Sequence, residues 1–340
     1  MKVSYLLSLL FFISVSSYAQ KVDLDKEYIK IKYTNLPTEP ILDAAIRTYS
    51  VTANNQEVAD NIKIHGFEKM KAEGTINIDI KTEGVIIDNV EINKREIVKK
   101  DKKGKVISVK KFYKPVISYH TVGSFSVQNT SGKPFTSNQG RKKYHAGKEY
   151  TSYSSASQYY KNNSEVLKDK FNTQFVLDLK NTINKALNKR YGYAPYVAND
   201  VFWILDSKKN PEYDGHKKAL ADMKMLLAKI TYEEPIEGLK PELQPIVDYF
   251  LSVIPKFTDT KKKHRKMRYA SYLSISKLYY YFDMPDKTIE YATKLIENDY
   301  DKSDGKKLIK KAEKLKKMFE LNKVKSRHFE VVTTDATVQN

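Results

Sequence analysis

Six histidines, His65, His120, His145, His216, His264 and His328, are the side chains of this 340-residue sequence best suited to metal or proton chemistry. They are scattered, with no His-Glu-x-x-His pair and no spacing that would bring several onto one ion. Asp101-Lys102-Lys103-Gly104, between the strand-like runs 96–100 and 105–112, reads as a hairpin loop with Gly at its end and lacks the further oxygen ligands of a calcium loop. Glu233 and Glu234 are adjacent carboxylates in an expected loop, where such pairs are solvated. There is no Gly-x-Ser-x-Gly elbow and no Gly-rich phosphate loop after a strand. No catalytic, cofactor or metal residues are therefore expected, and the chain reads as a non-enzyme. A hydrolase whose site is assembled from distant residues would carry no motif and stays open as a second alternative.

Binding chemistry is more visible. The formal charge is +19, and the surplus is concentrated. Lys261, Lys262, Lys263, His264, Arg265, Lys266 and Arg268 form one dense run. From Lys302 to Arg327 there are eleven Lys/Arg against three acids. Such runs attract polyanions. An exported protein would meet an acidic protein partner, anionic lipid or glycan phosphates and not nucleic acid; a plain solvated helix face is the structural alternative. Tyrosine is abundant, 25 in all, and Tyr279-Tyr280-Tyr281 spreads rings around more than half a helix. Tyrosine suits interfaces because it joins a large apolar area to a polar tip. The nine residues expected to meet a partner are Lys261, Lys262, Lys263, Arg265, Lys266, Arg268, Tyr279, Tyr280 and Tyr281, with inter-helix packing as the tyrosines' alternative role.

Two short amphipathic helices must position these residues. Tyr272, Ile275, Tyr279 and Phe282 fall on one face of the first; Ile289, Ala292, Leu295 and Ile296 form a stripe on the second. Asp283 is the expected N-cap of the second helix, with Pro285 in its first turn. Tyr272, Ile275, Ser276, Tyr279, Thr288, Ala292 and Leu295 stand at the spacing of the signature positions of a tetratricopeptide (TPR) repeat. Over about one repeat, 269–302, the chain resembles that family, with departures at Thr288, Leu295 and Tyr300. The resemblance implies a stack of helical hairpins that holds a protein segment.

The first residues, Met1-Lys2 followed by an apolar run to Val15 and Ser17-Tyr18-Ala19, give a signal peptide over 1–19 with cleavage after Ala19. No later run is long enough to span a bilayer. The absence of cysteine removes disulfides, thiolate metal sites and lipid attachment. The Lys, Asn, Ile and Tyr richness, with the Ala-Gln junction, is similar to exported envelope proteins of Bacteroidota, and a periplasmic location is the expectation, with a position peripheral to an outer membrane as its variant.

Residues 20–129 alternate with period two in seven or eight short runs, including Ile76, Ile78 and Ile80, and predict an antiparallel β domain, sandwich-like or with one open face. Residues 130–160 read as linker. From Ser164, the expected N-cap, Phe171, Phe175, Leu179, Ile183 and Leu187 repeat at helical spacing. Val201–Leu205 is too short for periodicity to separate strand from helix. Residues 161–328 then form a helical TPR-like domain, and 329–340 a disordered tail. The fold class is α+β: an N-terminal antiparallel β domain followed by a C-terminal helical hairpin stack. The expected function is a periplasmic protein-binding scaffold or accessory subunit of an outer-membrane assembly or secretion complex, the first alternative being glycan binding through tyrosine.

Overall fold

A computed structural model describes residues 21–130, 135–138 and 141–331. The expected signal peptide and most of the expected tail lie outside them. The chain is α+β, a β-rich N-terminal region followed by helices. It divides into two compact units, one built from 34–196 with the described part of 318–340, the other from the described part of 1–33 with 197–317.

β1 (Leu24–Asn35) alternates as its sequence requires, with Ile29 and Ile31 buried. β2 (Thr48–Ala53) leads into a short helix, α1 (Gln56–Asp60), capped by the Asn55 side chain. A single helical turn follows β1 at Ala44–Ile46, where the Asp43 carboxylate accepts the Ala45 N–H. β3 is Glu68–Lys69. β4 (Ile76–Lys100) and β5 (Val106–Asn129) form one antiparallel ribbon in register from Ile76/Asn129 to Lys100/Val106. β6 (Phe135–Asn138) and β7 (Arg141–Ala146) pair with β5. The resulting six-stranded sheet runs β3-β2-β4-β5-β6, with β7 also on β5. Its β2 neighbours are parallel and the rest antiparallel.

α2 (Tyr153–Arg190) is longer than expected: Ser152, not Ser164, is its N-cap. Its stripe Phe171, Phe175, Leu179, Ile183 and Leu187 packs on the sheet residues Ile76, Ile78, Ile80, Phe125 and Val127. This corrects the expectation that the stripe stacks on other helices. A sheet with one apolar face needs a cover, and α2 supplies it. At Gly123 helix and sheet approach closely: a Cβ there would lie 2.9 Å from the Phe175 ring. The expected linker is likewise largely structured, holding β6, β7 and the first turns of α2.

β8 (Ala194–Leu205) settles the apolar run Val201–Leu205 as strand, and it pairs with β1 in a two-stranded sheet. Against this pair pack α3 (Tyr213–Ala228), α4 (Lys240–Val253) and α5 (Lys262–Tyr281), through Phe202, Ile204, Met223, Phe250 and Leu278. α6 (Pro285–Glu297) and α7 (Lys302–Asn322) complete the helices. Asp283 is not the N-cap of α6. It takes φ 54° just past the end of α5, where its N–H donates to the Tyr280 carbonyl and that of Met284 to the Tyr279 carbonyl. That pair of bonds is a Schellman end, which needs a left-handed residue.

Candidate functional site

The basic run begins α5, and its residues divide by role. Asp259 organises the entry: its carboxylate accepts the Lys261 N–H at 2.9 Å and pairs with Lys261 Nζ at 2.8 Å. The hydrogen bond from Lys261 holds the Asp259 carboxyl below its ordinary range. The Asp259 N–H donates to His264 Nδ1 at 3.3 Å. Burial, with the neighbouring cations, lowers the His264 pKa although Asp259 opposes this.

The two arginines act as clasps. Arg268 donates to the carbonyls of Phe257 and Asp259 and, at 2.7 Å, to Asn298 Oδ1. Arg265 reaches the Asp299 carbonyl at 3.1 Å and its carboxylate at 2.9 Å. Asn298 returns a bond to the Arg265 carbonyl at 2.8 Å. The start of α5 is thereby tied to the α6–α7 turn. A planar guanidinium suits this multi-acceptor job better than an ammonium.

Lys262, Lys263 and Lys266 are different. Lys262 is exposed and the other two are half-exposed. None of the three makes a salt bridge among the described residues. Lys261 is the N-cap residue and offers no side-chain cap, and no acid stands in the first turn. A helix N-terminus is already the positive end of the macrodipole, so cations here work against the helix. The result is a concentrated positive spot on an otherwise well-anchored element.

The tyrosines do not join it. They stand at the other end of α5, roughly 25 Å away at about 1.5 Å per residue. Tyr279 is buried, its ring 5.5 Å from that of Tyr291, and burial raises its pKa to about 12. Tyr280 is half-buried, with Lys311 over its ring. Tyr281 is buried and donates to Asp200 at 2.7 Å. Lys277 Nζ meets the same carboxylate at 2.8 Å and also donates to the Val201 carbonyl. This network ties β8 to α5. Sequence reasoning passed over it because its partners lie more than 70 positions apart.

In the unit that carries α2, a cleft of about 320 Å³ opens beside Thr121, Phe175, Leu179 and Thr182. Lys143 and Asp178, its two charged residues, are paired at 2.8 Å. Among the described residues no three His, Asp or Glu side chains come together as a metal site, and no helix is long and apolar enough to cross a membrane.

No family model matches the chain. No curated protein matches it either. Among solved structures, a minor lipoprotein from Acinetobacter baumannii is similar over 43% of this chain and 93% of its own, at 12% identity and a TM-score of 0.20.

Proposed function

We propose that this is an exported, non-catalytic binding protein of the cell envelope, whose helical unit holds an acidic segment of a protein partner. The observation that carries the proposal is the placement of Lys262 and Lys263 in the first turn of α5, the unfavourable end of its dipole, with Lys266 one turn on. A cationic spot on a rigid helix start steers an acidic partner. The α5–α6–α7 packing supports a TPR-like surface beside it. Ser276 is fully buried at a small position, and Gly305 lets α7 approach the Ala292 carbonyl. The glycan alternative needs open rings, and Tyr279 and Tyr281 are interior.

The test is affinity capture from solubilised envelopes with the purified chain as bait. Recovery of an acidic envelope protein at low salt, released as salt rises, is the expected outcome. Retention on a glycan column with no envelope protein recovered would sink the proposal.

A further inference from the structure

The β4–β5 ribbon outgrows its sheet. β7 pairs with β5 only as far as Val116, and the last side support is the Tyr113/Tyr150 bridge with the Arg95–Glu149 ion pair. Beyond Arg95 and Phe112 the two strands continue to the turn with no third strand and no covering helix among the described residues, a reach of about 17 Å for five residues. From Glu96 to Lys111 every residue except Ser108 is exposed. A free two-stranded ribbon is marginal in water on its own. This one is held by a closed turn: Asp101 accepts the N–H groups of Lys103 and Lys105, both at 2.9 Å, and Gly104 takes φ 82°.

Its composition is unlike that of a solvated loop. Residues 96–111 carry seven lysines and no arginine against Glu96 and Asp101, a net +5. Among them stand five β-branched aliphatics, Ile97, Val98, Val106, Ile107 and Val109, each 44% to 60% exposed. Val98 faces Val109 directly across the ribbon.

We propose that this ribbon is an anchor arm that docks on an anionic lipid headgroup layer, its aliphatics entering between headgroups and its lysines meeting phosphates. Lysines with long apolar stems keep their charge at the water boundary while the stems lie along apolar surface. A nucleic acid would reward the lysines but not the aliphatics, and its usual bidentate reader, arginine, is absent from the arm. The arm goes no deeper than the headgroups, because both ribbon edges carry unpaired backbone groups that hydrocarbon does not satisfy.

The sequence has no cysteine, so Val98→Cys gives a unique site for an environment-sensitive dye. The full chain should sediment with phosphatidylglycerol vesicles and not with phosphatidylcholine vesicles, with a blue shift of the dye that soluble glycerol phosphate does not reproduce. Lys99→Gln, Lys100→Gln and Lys110→Gln together should lower the vesicle partition roughly a hundredfold. The matched change Lys306→Gln, Lys310→Gln and Lys314→Gln on exposed positions of α7 should leave it nearly unchanged. Equal losses from the two triples would reduce the binding to overall charge and overturn the proposal. So would an unshifted dye on phosphatidylglycerol, or capture by polyglutamate or duplex DNA without vesicle binding. Lys262→Glu with Lys263→Glu should leave vesicle binding intact, so the arm and the helical site fail separately.

Discussion

Tyr281 and Asp200 share a 2.7 Å hydrogen bond inside the helical unit, and Lys277 completes the arrangement from the turn before Tyr281. Burial and the neighbouring carboxylate push the Tyr281 pKa upward, and Lys277 holds the Asp200 carboxyl below its ordinary range although burial opposes it. One side of the carboxylate takes a neutral donor, the other a charged one. Removing the acid strands a lysine that is only 12% exposed at its side chain. Asp200→Asn should therefore cost about 3 kcal/mol in urea unfolding, since breaking a buried pair leaves an uncompensated charge. Adding Lys277→Met should restore more than half of that loss; an additive further loss would contradict the clasp.

His216 gives the fold an acid limit. Its ring is fully buried, stacked edge-on against Tyr249 and Phe250, with no partner for either nitrogen among the described residues. Burial lowers its pKa from 6.5 to about 4. Between those values the unfolded chain holds a proton that the folded one does not, so acid favours unfolding. Stability should fall by about 3 kcal/mol as pH drops through that window, at 1.36 kcal/mol per unit. His65 and His145 shift in the same direction by burial and add to the slope. His216→Phe should flatten the pH profile of thermal unfolding more than any other single histidine replacement.

Gly305 tests the α6–α7 approach. A Cβ at this position would lie 2.7 Å from the Ala292 carbonyl oxygen and 2.6 Å from Ile296 Cγ1. Alanine is favoured over glycine in a helix by about 1 kcal/mol. Here the backbone of α6 stands in the way, so Gly305→Ala should instead destabilise by roughly 1–3 kcal/mol, the usual range for overpacking. A stabilised variant would mean that the two helices separate readily.

Legibility in the sequence followed the range of the interactions. The α5–α6 hairpin was readable because helical faces repeat within one turn, and the alternation of Ile76, Ile78 and Ile80 marked a buried sheet face. The hairpin at the tip of the long ribbon was readable but the ribbon's length was not, because bulges between Thr82 and Gly84 and between Ile87 and Asn89 interrupt its alternation and make it read as several strands. β1 was readable as a strand but not its partner, since β8 begins 170 positions after β1. The stripe of α2 announced a buried face without saying that a sheet would cover it. At the basic run the residue types were legible but not the division between clasping arginines and outward lysines, which depends on Asn298 and Asp299 folding back to α5.

The double change Lys262→Glu and Lys263→Glu bears most directly on the proposed binding role. It replaces two cations with two anions at the first turn of α5, where no acid now stands. Anions there are worth about 0.3–1 kcal/mol each to the helix. The variant should melt higher than the parent and yet capture the envelope partner more weakly, through a slower association rate that no longer depends on ionic strength. A higher melting temperature with unchanged capture would leave these lysines as a solvated helix start and contradict the binding role.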